Sequence, residues 1–304
     1  MDNNKVMIVG TGNVGASIAF ALLNQRTAVN EIILTDIIAK DAEGEAMDLN
    51  DALAVAPSYL KIKSGTYKDA KDCDVVVITA GAAQKPGETR MELLKKNVNI
   101  LKGMIEQIMD SGFDGILLIV SNPMDVLTYY AWKFSGLPYE RVIGSGTVLD
   151  SARLRQRLAS YLNVNPKSVH AYQAGEHGDS EISLFSTADV GGQKISTMLP
   201  RDVLKGASEF VRNEAYEIID RKGATYYGIA TCVVQILNSI FNDEQRVLPV
   251  SSYDTFSDTC FGWPSVVGRG GVVRRLDIKI SEHEGIELQK SINVLKDAIS
   301  QVKY

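Results

Sequence analysis

The chain has 304 residues, 45% of them hydrophobic and 23% charged, with a formal net charge of −5. That length suits two lobes sharing an interface, and the acidic balance without a Lys/Arg block speaks against a nucleic-acid partner. No run approaches the ~18 apolar residues of a membrane span, and Met1-Asp2-Asn3-Asn4-Lys5 shows no basic, apolar leader, so a cytoplasmic protein is expected.

Strand and helix alternate through the first half. Residues 5–9 read as a strand, 13–24 as a helix, 31–35 as a second strand ending at Asp36, and 40–53 as an amphipathic helix. Residues 60–64 give a short strand and 74–79 a buried one. A Gly/Pro-rich stretch, 81–89, then leads into a long helix over about 91–110. Residues 115–120 form another buried strand, followed by Ser121-Asn122-Pro123, a helix, and a short strand before Gly144. β-Branched runs separated by helices imply a doubly wound parallel α/β sheet of the Rossmann type over residues 1–144. After Gly144 the rhythm changes. Helices are expected over about 147–163, 203–221, 226–241 and 282–302, with short strands in 168–197 and antiparallel strands in 245–280. This predicts an α+β substrate domain over residues 145–304. Cys73, Cys232 and Cys260 are odd in number and far apart, as unpaired thiols in a reducing compartment would be.

The chemistry concentrates in a few places. Gly10-Thr11-Gly12-Asn13-Val14-Gly15 joins the first strand to the first helix. A GxGxxG pattern alone is weak, but in this context Gly10 allows a tight turn, Gly12 lets backbone approach a pyrophosphate, and Gly15 lets the helix pack closely. Asp36, at the end of the next strand, can accept hydrogen bonds from the ribose hydroxyls of NAD and would repel the 2′-phosphate of NADP. The loop Gly81 to Arg90 sits where a lid with a cationic tip would close on an anionic or carbonyl substrate, although a plain polar surface loop fits as well. Asp150 and Arg153 share a helix face. They form either a local ion pair or an anchor for a carboxylate, with Asp150 free to hold a histidine in one tautomer. His177, in Glu176-His177-Gly178-Asp179-Ser180, is one of three histidines and lies in a run too polar for core. It can trade a proton near neutral pH. His170, His177 and His283 show no paired metal-ligand spacing.

Taken in order, the glycine turn, Asp36, Gln84-Lys85-Pro86-Gly87-Glu88-Thr89-Arg90, Ser121-Asn122-Pro123, Leu149-Asp150-Ser151-Ala152-Arg153 and Ala174-Gly175-Glu176-His177-Gly178-Asp179-Ser180 resemble the NAD-dependent L-lactate/malate dehydrogenase family, and its bacterial L-lactate dehydrogenases most. The resemblance spans about residues 5–280. Only the segment between Ser252 and Phe261 is shorter than the family's. It implies that His177 exchanges a proton with the substrate oxygen, Asp150 orients and charges His177, Arg153 grips the substrate carboxylate, and Arg90 polarises the carbonyl. It places Asn122 near the reacting centre and Thr225 in the pocket wall. Gly10, Gly12, Val14, Gly15, Asp36, Tyr67, Gly81, Ala82, Val120, Asn122 and Ser145 match cofactor contacts. At the position of Gln84, malate dehydrogenases carry an arginine for the second carboxylate, so a neutral Gln84 implies pyruvate and L-lactate. A malate or other L-2-hydroxy-acid dehydrogenase is the alternative within the family, and a non-catalytic dinucleotide-binding protein the alternative outside it. The resemblance further implies a homotetramer, with the helices at 40–53 and 226–241 as candidate interface elements, although core packing would explain their apolar faces equally well. It also implies a possible fructose 1,6-bisphosphate site at Arg155 and His170, positions that bind this effector in allosteric relatives.

Overall fold

Six strands alternate with helices in the first half. The computed structural model describes residues 4–82, 87 and 89–302. In chain order the elements are β1 (Lys5–Val9), α1 (Asn13–Asn24), β2 (Glu31–Thr35), α2 (Ala39–Ala52), β3 (Lys61–Ser64), β4 (Val75–Ile78), α3 (Arg90–Asp110), β5 (Ile116–Ile119), α4 (Met124–Ser135) and β6 (Val142–Gly144). The strands lie parallel in the order β3-β2-β1-β4-β5-β6. This is the doubly wound arrangement, with its switch point between β1 and β4. Strands β4 and β5 are buried at every position because both faces of a parallel sheet are covered. Alternate residues serve opposite faces. Val6, Ile8, Val75 and Val77 pack with Ile18 and Leu22 of α1, while Met7, Val9, Val76 and Ile78 pack with Val98 and Leu101 of α3.

The second half continues with α5 (Val148–Leu162), β7 (Val169–His170), β8 (Gln173–Ala174), β9 (Ile182–Ser183), β10 (Asp189–Val190), β11 (Gln193–Lys194), α6 (Ile195–Met198), α7 (Arg201–Lys222) and α8 (Tyr227–Phe241). It ends with β12 (Arg246–Leu248), β13 (Ser251–Asp254), β14 (Thr259–Gly262), β15 (Ser265–Gly268), β16 (Gly271–Arg275) and α9 (Glu282–Ser300). Leu154 and Leu158 of α5 pack with Val169, Ile195, Leu204 and Val211 as a separate core.

The two halves are more interleaved than the sequence suggests. Strands β13 and β14 do not stay with the other late strands. They extend the large sheet beyond β6 as an antiparallel edge, so the sheet runs across the boundary expected at residue 144. Helices α8 and α9 cover its two faces. Val233, Ile236 and Leu237 of α8 enter the core with α1, and Ile292 and Leu295 of α9 enter the core with α3 and α4. The apolar stripe of α8 is therefore used within the chain, because a periodic pattern reveals an apolar face and not what covers it. Met47 on α2 is 69% exposed, Phe20 on α1 55% and Tyr227 on α8 67%. Among the described residues, no helix is long and apolar enough to cross a membrane.

Candidate active site

Each residue expected to contact a dinucleotide follows the carboxyl end of one of the six parallel strands, where open α/β sheets bind ligands. Gly10, Gly12, Val14 and Gly15 follow β1, Asp36 follows β2 and Tyr67 follows β3. Gly81 and Ala82 follow β4, Val120 and Asn122 follow β5, and Ser145 follows β6. Gly10 has φ +96°, and a Cβ there would lie 2.7 Å from the Ala80 nitrogen; at Gly15 it would lie 1.9 Å from the Gly10 carbonyl oxygen. The turn thus admits glycine alone at both positions. A Cβ at Gly12, by contrast, meets no protein atom within 4 Å, which leaves room for a pyrophosphate against the N-terminus of α1. Asp36 accepts from the Thr11 N–H at 2.7 Å, the Thr11 hydroxyl at 3.2 Å and the Ile38 N–H at 3.1 Å. Partial burial pushes its pKa up, yet these hydrogen bonds hold it below the ordinary value, so Asp36 is a carboxylate at the carboxyl end of β2. The donors and open space of this cradle fit a dinucleotide.

His177 lies on the loop after β8. That loop is tied to the large sheet, since Gly175 and Gly262 of β14 exchange two backbone hydrogen bonds of 2.9 Å. His177 Nδ1 donates to Asp150 Oδ2 at 2.6 Å, and Arg153 Nη1 donates to Asp150 Oδ1 at 3.1 Å. One buried carboxylate on α5 therefore holds both the imidazole and the guanidinium. With Nδ1 engaged, Nε2 is the nitrogen available to a ligand. The charge of Asp150 pushes the His177 pKa up from 6.5 to about 9, against the effect of burial. Asp150 is held below its ordinary value despite burial, by His177 and Arg153.

Arg90 is the first residue of α3, whose Thr89 hydroxyl accepts from the Glu92 N–H. Its side chain is exposed and 3.5 Å from Asp179 Oδ2, two residues from His177. Arg90 and His177 line one 160 Å³ cavity. Thr225 lies half-buried between α7 and α8. Gln84 lies outside the described residues. Arg155 and His170 stand apart from this cluster. Arg155 Nε donates to the Ser151 carbonyl at 3.3 Å, and His170 Nδ1 is 3.4 Å from Asp189 Oδ1. His283 is exposed in the first turn of α9. Among the described residues, no group of three His, Cys, Asp or Glu side chains could hold a metal ion.

Several supporting residues escaped the sequence reading. Asp125 on α4 is 2% exposed. It accepts from the His177 backbone N–H at 2.7 Å and the Ser251 hydroxyl at 2.6 Å, joining the two halves behind the histidine. Burial raises its pKa to about 7. Asn97 on α3 accepts from the Ala82 N–H at 2.8 Å and donates to the Asn122 carbonyl at 2.9 Å, so it aligns the loops after β4 and β5. Its position between Leu94 and Leu101 on a buried stripe is a signal that could have found it, since a buried amide needs partners. Glu181 is buried and accepts from Gln173 Nε2 at 3.3 Å. Burial and the Asp150 charge push its pKa well up. Glu214 on α7 faces Arg153.

A glycine turn at the carboxyl end of a doubly wound sheet together with a charged imidazole fits a nicotinamide-dependent dehydrogenase, because moving a hydride at carbon requires a proton partner at the attached oxygen. Comparison with known proteins narrows that class. Residues 4–144 match the family model of the lactate/malate dehydrogenase NAD binding domain, and residues 147–304 that of the alpha/beta C-terminal domain. The chain belongs to the lactate/malate dehydrogenase family, and its dinucleotide is NAD. It is 48% identical to L-lactate dehydrogenase 1 and 49% identical to L-lactate dehydrogenase 2 of Bacillus cereus, each across 98% of both chains. It superposes on a lactate dehydrogenase from a Medee basin deep-sea metagenome library with a TM-score of 0.98, at 48% identity and covering 100% of both chains. The ligands-bound minor L-lactate dehydrogenase of Enterococcus mundtii gives 0.96 at 44% identity, covering 100% of this chain and 99% of that one.

Proposed function

We propose that this protein is an NAD-dependent L-lactate dehydrogenase that interconverts pyruvate and L-lactate. The observation that carries the reading is Asp150, which bonds to His177 and Arg153 at once. One carboxylate thereby sets the distance between a proton donor and a carboxylate anchor. Bound NADH supplies the hydride. Arg153 takes the substrate carboxylate with its planar fork. His177 gives a proton from Nε2 to the carbonyl oxygen, and Asp150 stabilises the imidazolium before that transfer. Arg90, at the start of α3, stabilises negative charge growing on the same oxygen. Asn122 and Thr225 bound the pocket, and Asn97 and Asp125 hold its loops in place. The resemblance puts neutral Gln84 where malate dehydrogenases carry an arginine for a second carboxylate, which favours pyruvate over oxaloacetate. The division of labour follows the chain, with residues 1–144 binding NAD and residues 145–304 carrying the proton donor and carboxylate anchor.

The reading extends to assembly and regulation. The enzyme is read as a cytoplasmic homotetramer from the family resemblance; the exposed Phe20, Met47 and Tyr227, two of which (Phe20 and Tyr227) line a groove of about 350 Å³, support a subunit interface. Fructose 1,6-bisphosphate binds at Arg155 and His170. Support comes from the 65% exposure of the His170 side chain and from Arg155 and Arg246, whose positive charges both act on Tyr172. The test of the main reading is a panel of 2-oxo acids assayed with NADH. Pyruvate is expected to give the highest kcat/KM, and a higher value for oxaloacetate would overturn the choice of lactate.

A further inference from the structure

Two carboxylates face Arg153, and only one of them also serves the histidine. Asp150 bonds to Nη1. Glu214, on α7, places Oε2 3.5 Å from Nε on the other edge of the guanidinium. The contact is an ion pair without a hydrogen bond, for this Oε2 is sealed from water and has no hydrogen-bond partner. Burial raises the Glu214 pKa above its ordinary value, and the charges of Arg153 and of Arg157, one turn beyond it on α5, act against that rise and favour the carboxylate. The Arg157 guanidinium is engaged by the rings of Tyr161 and Phe210 at 4.9 and 4.3 Å, and its buried Nε also lacks a hydrogen-bond partner. A counter-ion kept for stability would close on its arginine with two short bonds. Glu214 instead leaves a negative charge beside the group that has to attract an anion.

We infer that Glu214 is a specificity-determining residue that acts through Arg153, weakening its hold on the substrate carboxylate and disfavouring 2-oxo acids that carry a second one. The inference rests on Arg153 being the carboxylate anchor. The substrate carboxylate keeps its charge throughout the reaction, so repulsion from Glu214 acts equally on ground state and transition state. Such a uniform term changes KM and leaves kcat alone. A dicarboxylate brings a second negative charge for Glu214 to repel, where pyruvate brings a neutral methyl group.

E214Q tests this, because the amide keeps the shape and an acceptor oxygen while removing the charge. The KM for pyruvate is expected to fall about two- to fivefold, the size of a partly exposed charge pair, with kcat held within about twofold. The ratio of kcat/KM for oxaloacetate over pyruvate should rise. The alkaline limb of kcat should stay where it is in wild type while KM falls; a purely structural role would instead move kcat and KM together. A KM that E214Q leaves unchanged or raises, while R153K raises it sharply, overturns the role of Glu214 alone. A KM that R153K also leaves untouched overturns the anchor together with this inference.

Discussion

Replacing Asp150 with Asn removes the charge that keeps His177 protonated while leaving an oxygen to accept the Nδ1 proton. The His177 pKa is raised from 6.5 to about 9, with Asp150 the largest cause. At 1.36 kcal/mol per pH unit, that is about 3 kcal/mol of preference for the imidazolium. Pyruvate reduction uses the protonated form, so its rate is full below the pKa and is lost as pH rises through it. At pH 7.5 wild-type His177 is almost wholly charged. With a pKa near 6.5 only about a tenth would remain charged, a tenfold loss before any loss of orientation. The assay is kcat/KM for pyruvate with NADH from pH 5.5 to 10. In wild type the alkaline limb should fall near pH 9. In D150N it should move below pH 7, and activity at pH 7.5 should drop at least tenfold. Lactate oxidation has the opposite sign, since it needs neutral His177, and in wild type it should rise towards pH 9. An alkaline limb that stays near pH 9 in D150N would show that another group sets it and would refute the pairing as the source of the charge.

Three further outcomes are expected. Asp36→Ser should narrow the preference for NADH over NADPH by about tenfold or more, because like charges ~4 Å apart near a surface cost about 1 to 4 kcal/mol; equal kcat/KM for both cofactors in wild type would refute the role of Asp36. Gln84→Arg should move the preference from pyruvate towards oxaloacetate, since a second carboxylate left unpaired in a closed site costs several kcal/mol, and the ratio of the two kcat/KM values reads it directly. Millimolar fructose 1,6-bisphosphate should lower the KM for pyruvate at pH 6 to 7 and favour a four-chain mass in light scattering, with Arg155→Gln abolishing both effects; no change in either quantity removes the effector site.

The fold was legible wherever one local rule decided the outcome. Unbroken runs such as Val75–Ile78 and Ile116–Ile119 can only be strands buried on both sides, and the helices between them dictate parallel pairing. What was not legible was pairing over long separations. Strand β13 lies beside β6, with Ser251 paired to Gly144, yet its sequence would serve equally well in a separate antiparallel sheet. Helix α8 shows the same limit. Its apolar face is plain in Val233, Ile236 and Leu237, but α1, more than 200 positions earlier, is what buries it.

The site divides in the same way. Residues that touch ligand chemistry, such as His177 and the glycines after β1, stand out because their types are unusual for their surroundings. Residues that hold those residues do not, because their roles depend on partners distant in sequence. Asp125 looks like an ordinary acid in the first turn of a helix, favoured there by the helix dipole. Only folding brings the His177 N–H, 52 positions away, and the Ser251 hydroxyl, 126 positions away, onto its two oxygens. Glu214 is subtler still. On α7 it reads as one more surface charge, and its meaning comes from lying 3.5 Å from Arg153. An acid there adds nothing to the proton relay, which Asp150 and His177 complete without it. Its effect falls on the strength with which an anion is held, a property that depends on the sum of nearby charges and so cannot be read from any one motif.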